Sequence, residues 1–293
     1  MICEQFEICG YIYEFLCNNK KIHEYLLGLL ENHRCTDVKN VDFSFVLQTD
    51  SYIDVKNITN GNCIWETKKV RVTTEDMRAF YAWIDINKIR EMESLYYHLF
   101  SPVIKKTLCY KGLFYLHGAC LEINNKGIIF LGERNAGKST LSILELLEGN
   151  RFLTDDCIFL DDFMKAKSIY RPIHIDPNMG EMLKISDRIS VDDKYLSKEK
   201  EVNYYPQKFH KEQLIQQLKV DAIVFLHLSK DKESNLVSMK PEQVAKEIYL
   251  YSEDFHHEKL VEILKSVSVY SMTWGEKELN NPECLHELLA NVA

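Results

Sequence analysis

At 293 residues, 46% of them hydrophobic, the chain has ample material for a buried core, in one large domain or two ordinary ones. Its 36 basic and 44 acidic residues leave a formal charge of -8, which repels nucleic acid and anionic membrane surfaces, and pairs such as Lys68-Lys69 and Lys105-Lys106 read as solvated faces rather than binding patches. The nine cysteines are dispersed with no C-x-x-C pair, which points away from zinc and redox dithiols and fits a reducing compartment.

From the start, Met1-Ile2-Cys3-Glu4-Gln5 carries an early acid and lacks the basic segment of a secretory signal. The longest apolar runs, Ile128 to Leu131 and Ala222 to Leu226, are strand length, far below the roughly 20 residues that span a bilayer. A cytoplasmic location without membrane partners is the expectation. Residues 1–100 read as a small α/β or mostly β module: Phe43 to Leu47 and Tyr52 to Val55 are strand-like, and Asn60-Gly61-Asn62 turns the chain before Cys63-Ile64-Trp65. Between Ile89 and Cys109, Met92, Leu95, Tyr96, Leu99 and Val103 recur near helical spacing, which predicts a connecting helix broken near Pro102.

Residues 101–293 read as an α/β domain. Gly112 to Leu116 and His117 to Ile123 are strands, Asn124 to Gly127 is a hairpin turn, and Ile128 to Leu131 returns as a third strand. The apolar run Asp221 to Leu228 has the character of a strand covered on both faces. Pro241 to Tyr251 and Glu253 to Val267 are predicted helices over that sheet, and the charged stretch Asp187 to Lys200 a mobile loop.

The third strand runs directly into Gly132-Glu133-Arg134-Asn135-Ala136-Gly137-Lys138-Ser139, a G-x-x-x-x-G-K-S phosphate-loop motif, and Leu141, Leu144 and Leu147 follow on one helical face. A nucleoside triphosphate needs several converging donors, and a tight loop at a helix start turns backbone N–H groups toward it. Gly132 to Thr140 are therefore the predicted nucleotide contacts, with the Lys138 charge on the β and γ phosphates and the Ser139 hydroxyl on magnesium. Asn135 stands where many such loops carry glycine, and Asn tolerates positive φ. The bland alternative is a loop that binds nothing.

A helix from Lys138 to Glu148 travels roughly 16 Å from the loop, and after Gly149-Asn150 a strand Arg151 to Asp155 climbs roughly the same distance back. Asp155 and Asp156 should thus arrive level with the loop. Strand neighbours face opposite ways, so one carboxylate would address magnesium or an acceptor and the other a supporting shell. The alternative is a pair of solvated turn residues, as Asp161-Asp162 are read. No transporter-ATPase signature precedes a second acidic strand, and Ser229-Lys230-Asp231-Lys232 lacks the final Asp of a guanine-reading motif.

On Leu116 to Leu160, with its His-Gly strand, hairpin, phosphate loop, short helix and paired aspartates, the chain resembles the C-terminal kinase domain of HPr kinase/phosphorylase, whose fold is related to ATP-dependent phosphoenolpyruvate carboxykinase. That resemblance implies a P-loop kinase domain using ATP and magnesium. It implies catalytic roles for His117, Lys138 and Asp156, with Asp156 accepting the proton of a serine hydroxyl as it attacks the γ-phosphate. Alongside them Asp155 is a candidate for catalysis and for magnesium, and the resemblance places Glu181 near the position of a further magnesium-ligating acid. Hexamers are the family's assembly, and its stand-alone relatives phosphorylate a serine of a precursor peptide. Three readings follow: a kinase of a serine in a small protein or peptide, a kinase of a hydroxyl-bearing metabolite, and a nucleotide-binding regulator without transfer.

Overall fold

The structure, a computed structural model, describes residues 1–50, 61–89, 92, 94–187, 189–190, 202–229, 234–248, 264–275, 278 and 281–292. The chain divides into two compact units, Met1–Gly112 and Leu113–Ala293. The division falls at Gly112, after the connecting helix, which groups with the first unit.

In the first unit, β1 (Ile2–Ile8) and β2 (Tyr11–Cys17) form a hairpin that the sequence reading did not include. A tight two-residue turn needs positive φ at both central positions, and Cys9 and Gly10 supply it at 56° and 88°. After α1 (Lys20–Leu29) come β3 (Phe43–Asp50), β4 (Asn62–Glu66), β5 (Val70–Thr74) and β6 (Ala79–Asp85), in a mixed sheet of order β1-β2-β3-β6-β5-β4. The expected strand Tyr52 to Val55 lies outside the described residues. Alternate residues of the sheet bury Tyr13, Phe15, Phe43, Phe45 and Phe80, and the Phe45 and Phe80 rings stack with centroids 4.5 Å apart. A π-helical turn at Tyr96–Phe100 runs directly into α2 (Ser101–Tyr110), with Pro102 in the first turn of α2. Val103 and Ile104 line a small apolar cavity with Phe15, Phe45 and Leu47, and Thr107 shares a 2.7 Å hydrogen bond with the Tyr13 hydroxyl.

The second unit is mixed α/β with several sheets. β7 (Phe114–His117), β8 (Ala119–Ile123) and β9 (Lys126–Leu131) lead to α3 (Lys138–Leu147), β10 (Arg151–Thr154), β11 (Cys157–Leu160) and β12 (Lys165–Lys167). Then follow β13 (Ile173–Ile175), α4 (Pro177–Met182), β14 (Ile189–Ser190), β15 (Val202–Tyr204), α5 (Pro206–Phe209) and β16 (Gln217–Lys219). Last come β17 (Ala222–Leu228), β18 (Asn235–Ser238), α6 (Pro241–Ile248), β19 (Ser268–Trp274) and α7 (Pro282–Ala290). Residues 249–263, which hold most of the helix expected from Glu253, lie outside the described residues, as do 191–200 of the expected loop and 230–233.

The main sheet has the order β10-β8-β9-β17-β19-β18, with β17 parallel to both β9 and β19. Both of its faces are buried, which is why β17 reads as a continuous apolar run. Ile128, Phe130, Val224 and Leu226 pack with Leu141 and Leu144 of α3 and Leu285 and Leu289 of α7. Ile129, Leu131, Ile223 and Phe225 pack on the other side with Val244 of α6 and with Leu116, Ile158 and Ala166 of a second sheet, ordered β16-β12-β11-β7. Three connections pass between these sheets: β16 runs into β17 through Val220-Asp221, and the other two bear on the site. β7 continues into β8 through Gly118, and β10 continues into β11 through Asp155-Asp156. The crossings are tied together, since the Gly118 N–H donates to the Asp156 carbonyl at 3.1 Å. A Cβ on Gly118 would stand 2.6 Å from the Phe130 carbonyl, so only glycine fits there without displacement.

Candidate functional site

β9 delivers the chain to the loop Gly132–Gly137 at the start of α3. Leu226 of the adjacent β17 leaves no room at the loop's entrance, where a Cβ on Gly132 would come within 2.8 Å of its carbonyl. Asn135 has φ 67°, the left-handed conformation anticipated for an asparagine there, and Gly137 has φ 91°. Trp274, buried at the end of β19, closes the loop from behind: its Nε1 donates to the Ala136 carbonyl at 3.0 Å, and a Cβ on Gly137 would fall 2.2 Å from its ring. Gly137 caps α3 without a side-chain hydrogen bond, so no side chain competes for the first N–H groups of the helix. Glu133, Arg134 and Asn135 are exposed, whereas Ala136, Lys138 and Thr140 are buried. Lys138 Nζ donates to the carbonyls of Gly132 and Glu133 at 2.9 and 3.0 Å. Burial pulls its ammonium below the usual lysine range, and the Asp155 charge opposes that pull.

The return from α3 brings both aspartates to this loop. β10 ends at Thr154, so Asp155 and Asp156 occupy a bend rather than a strand end, yet they face different partners. Asp155 is buried and accepts a hydrogen bond from Ser139 Oγ at 2.8 Å. Burial pushes its carboxyl above the usual range; the Ser139 bond and the positive charges of Arg171, His117 and Lys138 pull the other way. Asp156 is more open. Its Oδ1 meets His117 Nδ1 at 2.9 Å and its Oδ2 forms an ion pair with Arg171. His117 reaches it because β7 and β11 pair with His117 opposite Cys157.

Of the residues expected here, Lys138, Ser139, Asp155, Asp156 and His117 are brought into one cluster. Glu181 lies on α4 with its side chain exposed, and among the described residues no three His, Cys, Asp or Glu side chains gather as a metal group. The short helix is capped by Asp176, whose carboxylate accepts from the Asn178 N–H at 2.8 Å, while Ser139 and Asp155 of the expected ligand set are joined by a hydrogen bond. The expected turn Asp161-Asp162 is a turn, and Asp161 accepts hydrogen bonds from the N–H groups of Phe163 and Lys165. Arg171 and Trp274 were not anticipated. Neither belongs to a local motif: Arg171 comes from the segment between β12 and β13 and Trp274 from the end of β19, so no spacing in the sequence signals them.

No known family's profile matches the chain, and no curated protein matches it. Among solved structures, the HPr(Ser) kinase/phosphatase from Coxiella burnetii is similar over 60% of this chain and 94% of its own, at 14% identity and a TM-score of 0.35. The likeness is distant, so function has to be read from the cluster itself. No helix among the described residues is long and apolar enough to cross a membrane.

Proposed function

We propose that the chain is a phosphotransferase that uses ATP and magnesium to phosphorylate a hydroxyl, with a serine of a small protein or precursor peptide as the acceptor. The carrying observation is the convergence of a buried lysine at a glycine-bounded helix start with two adjacent carboxylates in separate environments, one on Ser139 and one on His117 and Arg171. In this reading the loop N–H groups and Lys138 bind the phosphates. Nucleotide replaces the carbonyl contacts that Lys138 now makes, and the lysine then bears on the γ-phosphate.

The donor set fits magnesium. Magnesium in such sites is held by one or two carboxylates together with substrate phosphates rather than by an all-protein cage. Ser139 Oγ and Asp155, 2.8 Å apart, are the oxygens that would hold it, and the bound ion would neutralise charge growing on the phosphate oxygens. Asp156 takes the other part. Partly exposed and oriented at both oxygens, it receives the proton of the acceptor hydroxyl late in a loose transition state, where placement counts for more than basicity.

Incubation of the protein with γ-labelled ATP, magnesium and serine peptides tests this directly. Label is expected on the peptide serine. Label on a metabolite hydroxyl instead would move the acceptor class, and tight ATP binding with no transfer would replace the enzyme by a nucleotide-binding regulator.

A further inference from the structure

We propose that Arg171 is the fixed positioning residue of this site, holding Asp156 by Oδ2 so that Oδ1 is the oxygen an incoming acceptor hydroxyl meets. The inference rests on the phosphotransferase reading and adds a residue to it. Each oxygen of Asp156 carries one partner, so an acceptor approaches most readily at the oxygen whose partner gives way, and the two partners differ in what displacement costs. The side chain of His117 is 50% exposed, whereas that of Arg171 is 9% exposed and that of Asp156 25%. An imidazole half in water swings away with little loss of solvation. A buried guanidinium drawn off its carboxylate loses a charge partner that water does not replace.

The segment carrying Arg171 is held accordingly. It links β12 to β13, with Ile169, Tyr170 and Ile173 buried around it. Ser168 Oγ donates to the Cys157 carbonyl at 2.6 Å, which ties the segment to the residue directly after Asp156. Pro172 then restricts the chain immediately after the arginine. One guanidinium also serves two neighbouring carboxylates, because its charge acts on Asp155 as well as on Asp156. Two like charges on adjacent residues need such a shared cation to stay in place. A planar fork with several donors does this better than an ammonium, so charge alone should restore only part of the function.

The test compares the wild-type protein with Arg171→Met and Arg171→Lys in the labelled-ATP assay, with kcat and the KM for ATP measured separately. Arg171→Met should lower kcat about 100-fold, the scale of a catalytic group misplaced by about an ångström, with the KM for ATP within about threefold of wild type. Arg171→Lys should recover about a tenth of the wild-type kcat while binding ATP equally well. Unchanged kcat in Arg171→Met overturns the assignment. So does a loss in which Arg171→Lys is as inactive as Arg171→Met and both lose ATP binding, since that pattern marks a merely structural arginine. A wild-type protein that labels no acceptor would remove the phosphotransferase reading itself, which keeps the two failures apart.

Discussion

Each side chain at the site is set by a different physical constraint. Lys138 is buried against the loop carbonyls, Asp155 is buried against Ser139, and Asp156 is suspended between an exposed imidazole and a buried guanidinium. Two carboxylates adjacent in sequence therefore have separable roles, and substitution should separate them. Asp156→Asn should leave ATP affinity within about twofold by calorimetric titration and lower kcat by about 10²- to 10⁴-fold, because it removes a proton acceptor but no phosphate contact. Lys138→Ala should weaken ATP binding and abolish transfer together, since its charge serves both ground state and transition state; a titration curve matching wild type would take the lysine off the phosphates. The sequence already displayed Lys138, Ser139 and the aspartates, because a glycine-bounded loop and the short excursion behind it are local. Arg171 and Trp274 were illegible, because nothing within a few residues of either says what it touches.

At the level of elements, the strand-loop-helix-strand excursion works because its lengths match: α3 leads away and β10 leads back to the same end of the sheet. The loop tolerates no side chain at Gly137, where φ is 91° and Trp274 fills the space a Cβ would need. Gly137→Ala should destabilise the protein by at least about 1–2 kcal/mol from backbone strain alone and should weaken ATP binding; denaturant unfolding and titration measure the two. The far end of α3 carries a different liability. Glu145 is fully buried, with Asn150 Nδ2 at 2.6 Å and His286 Nε2 facing it at 3.5 Å. Burial raises its carboxyl from 4.5 to about 7, while His286 and Asn150 oppose the rise and Glu148 adds to it. The folded protein thus keeps this proton to higher pH than the unfolded chain. The associated stability is complete below about pH 4.5 and is lost as pH rises through about 7. Unfolding free energy should fall across that window, and Glu145→Gln should flatten the fall; an identical slope in the variant would assign it to other groups.

For the molecule as a whole, the division at Gly112 assigns every member of the cluster to the second unit, so nucleotide binding should stabilise that unit. At a ligand concentration about 100-fold above Kd the gain is about 2.7 kcal/mol, or roughly 5–10 °C in the unfolding midpoint of a unit this size. Scanning calorimetry with ATP and magnesium should show the shift in wild type and lose most of it in Lys138→Ala. What the sequence by itself determined was local: a glycine-bounded loop between strand and helix, a return of matching length, and the apolar runs of a sheet covered on both faces. Those features are carried by dihedral preference, periodicity and residue rise, which act over a few turns of chain. Only the tertiary structure decided that α2 belongs to the first unit and that His117 and Arg171 close on Asp156. Those outcomes depend on register between strands and on crossings from one sheet to another, where Gly118 is bonded to Asp156. Contacts of that kind join segments whose separation along the chain carries no periodic signal.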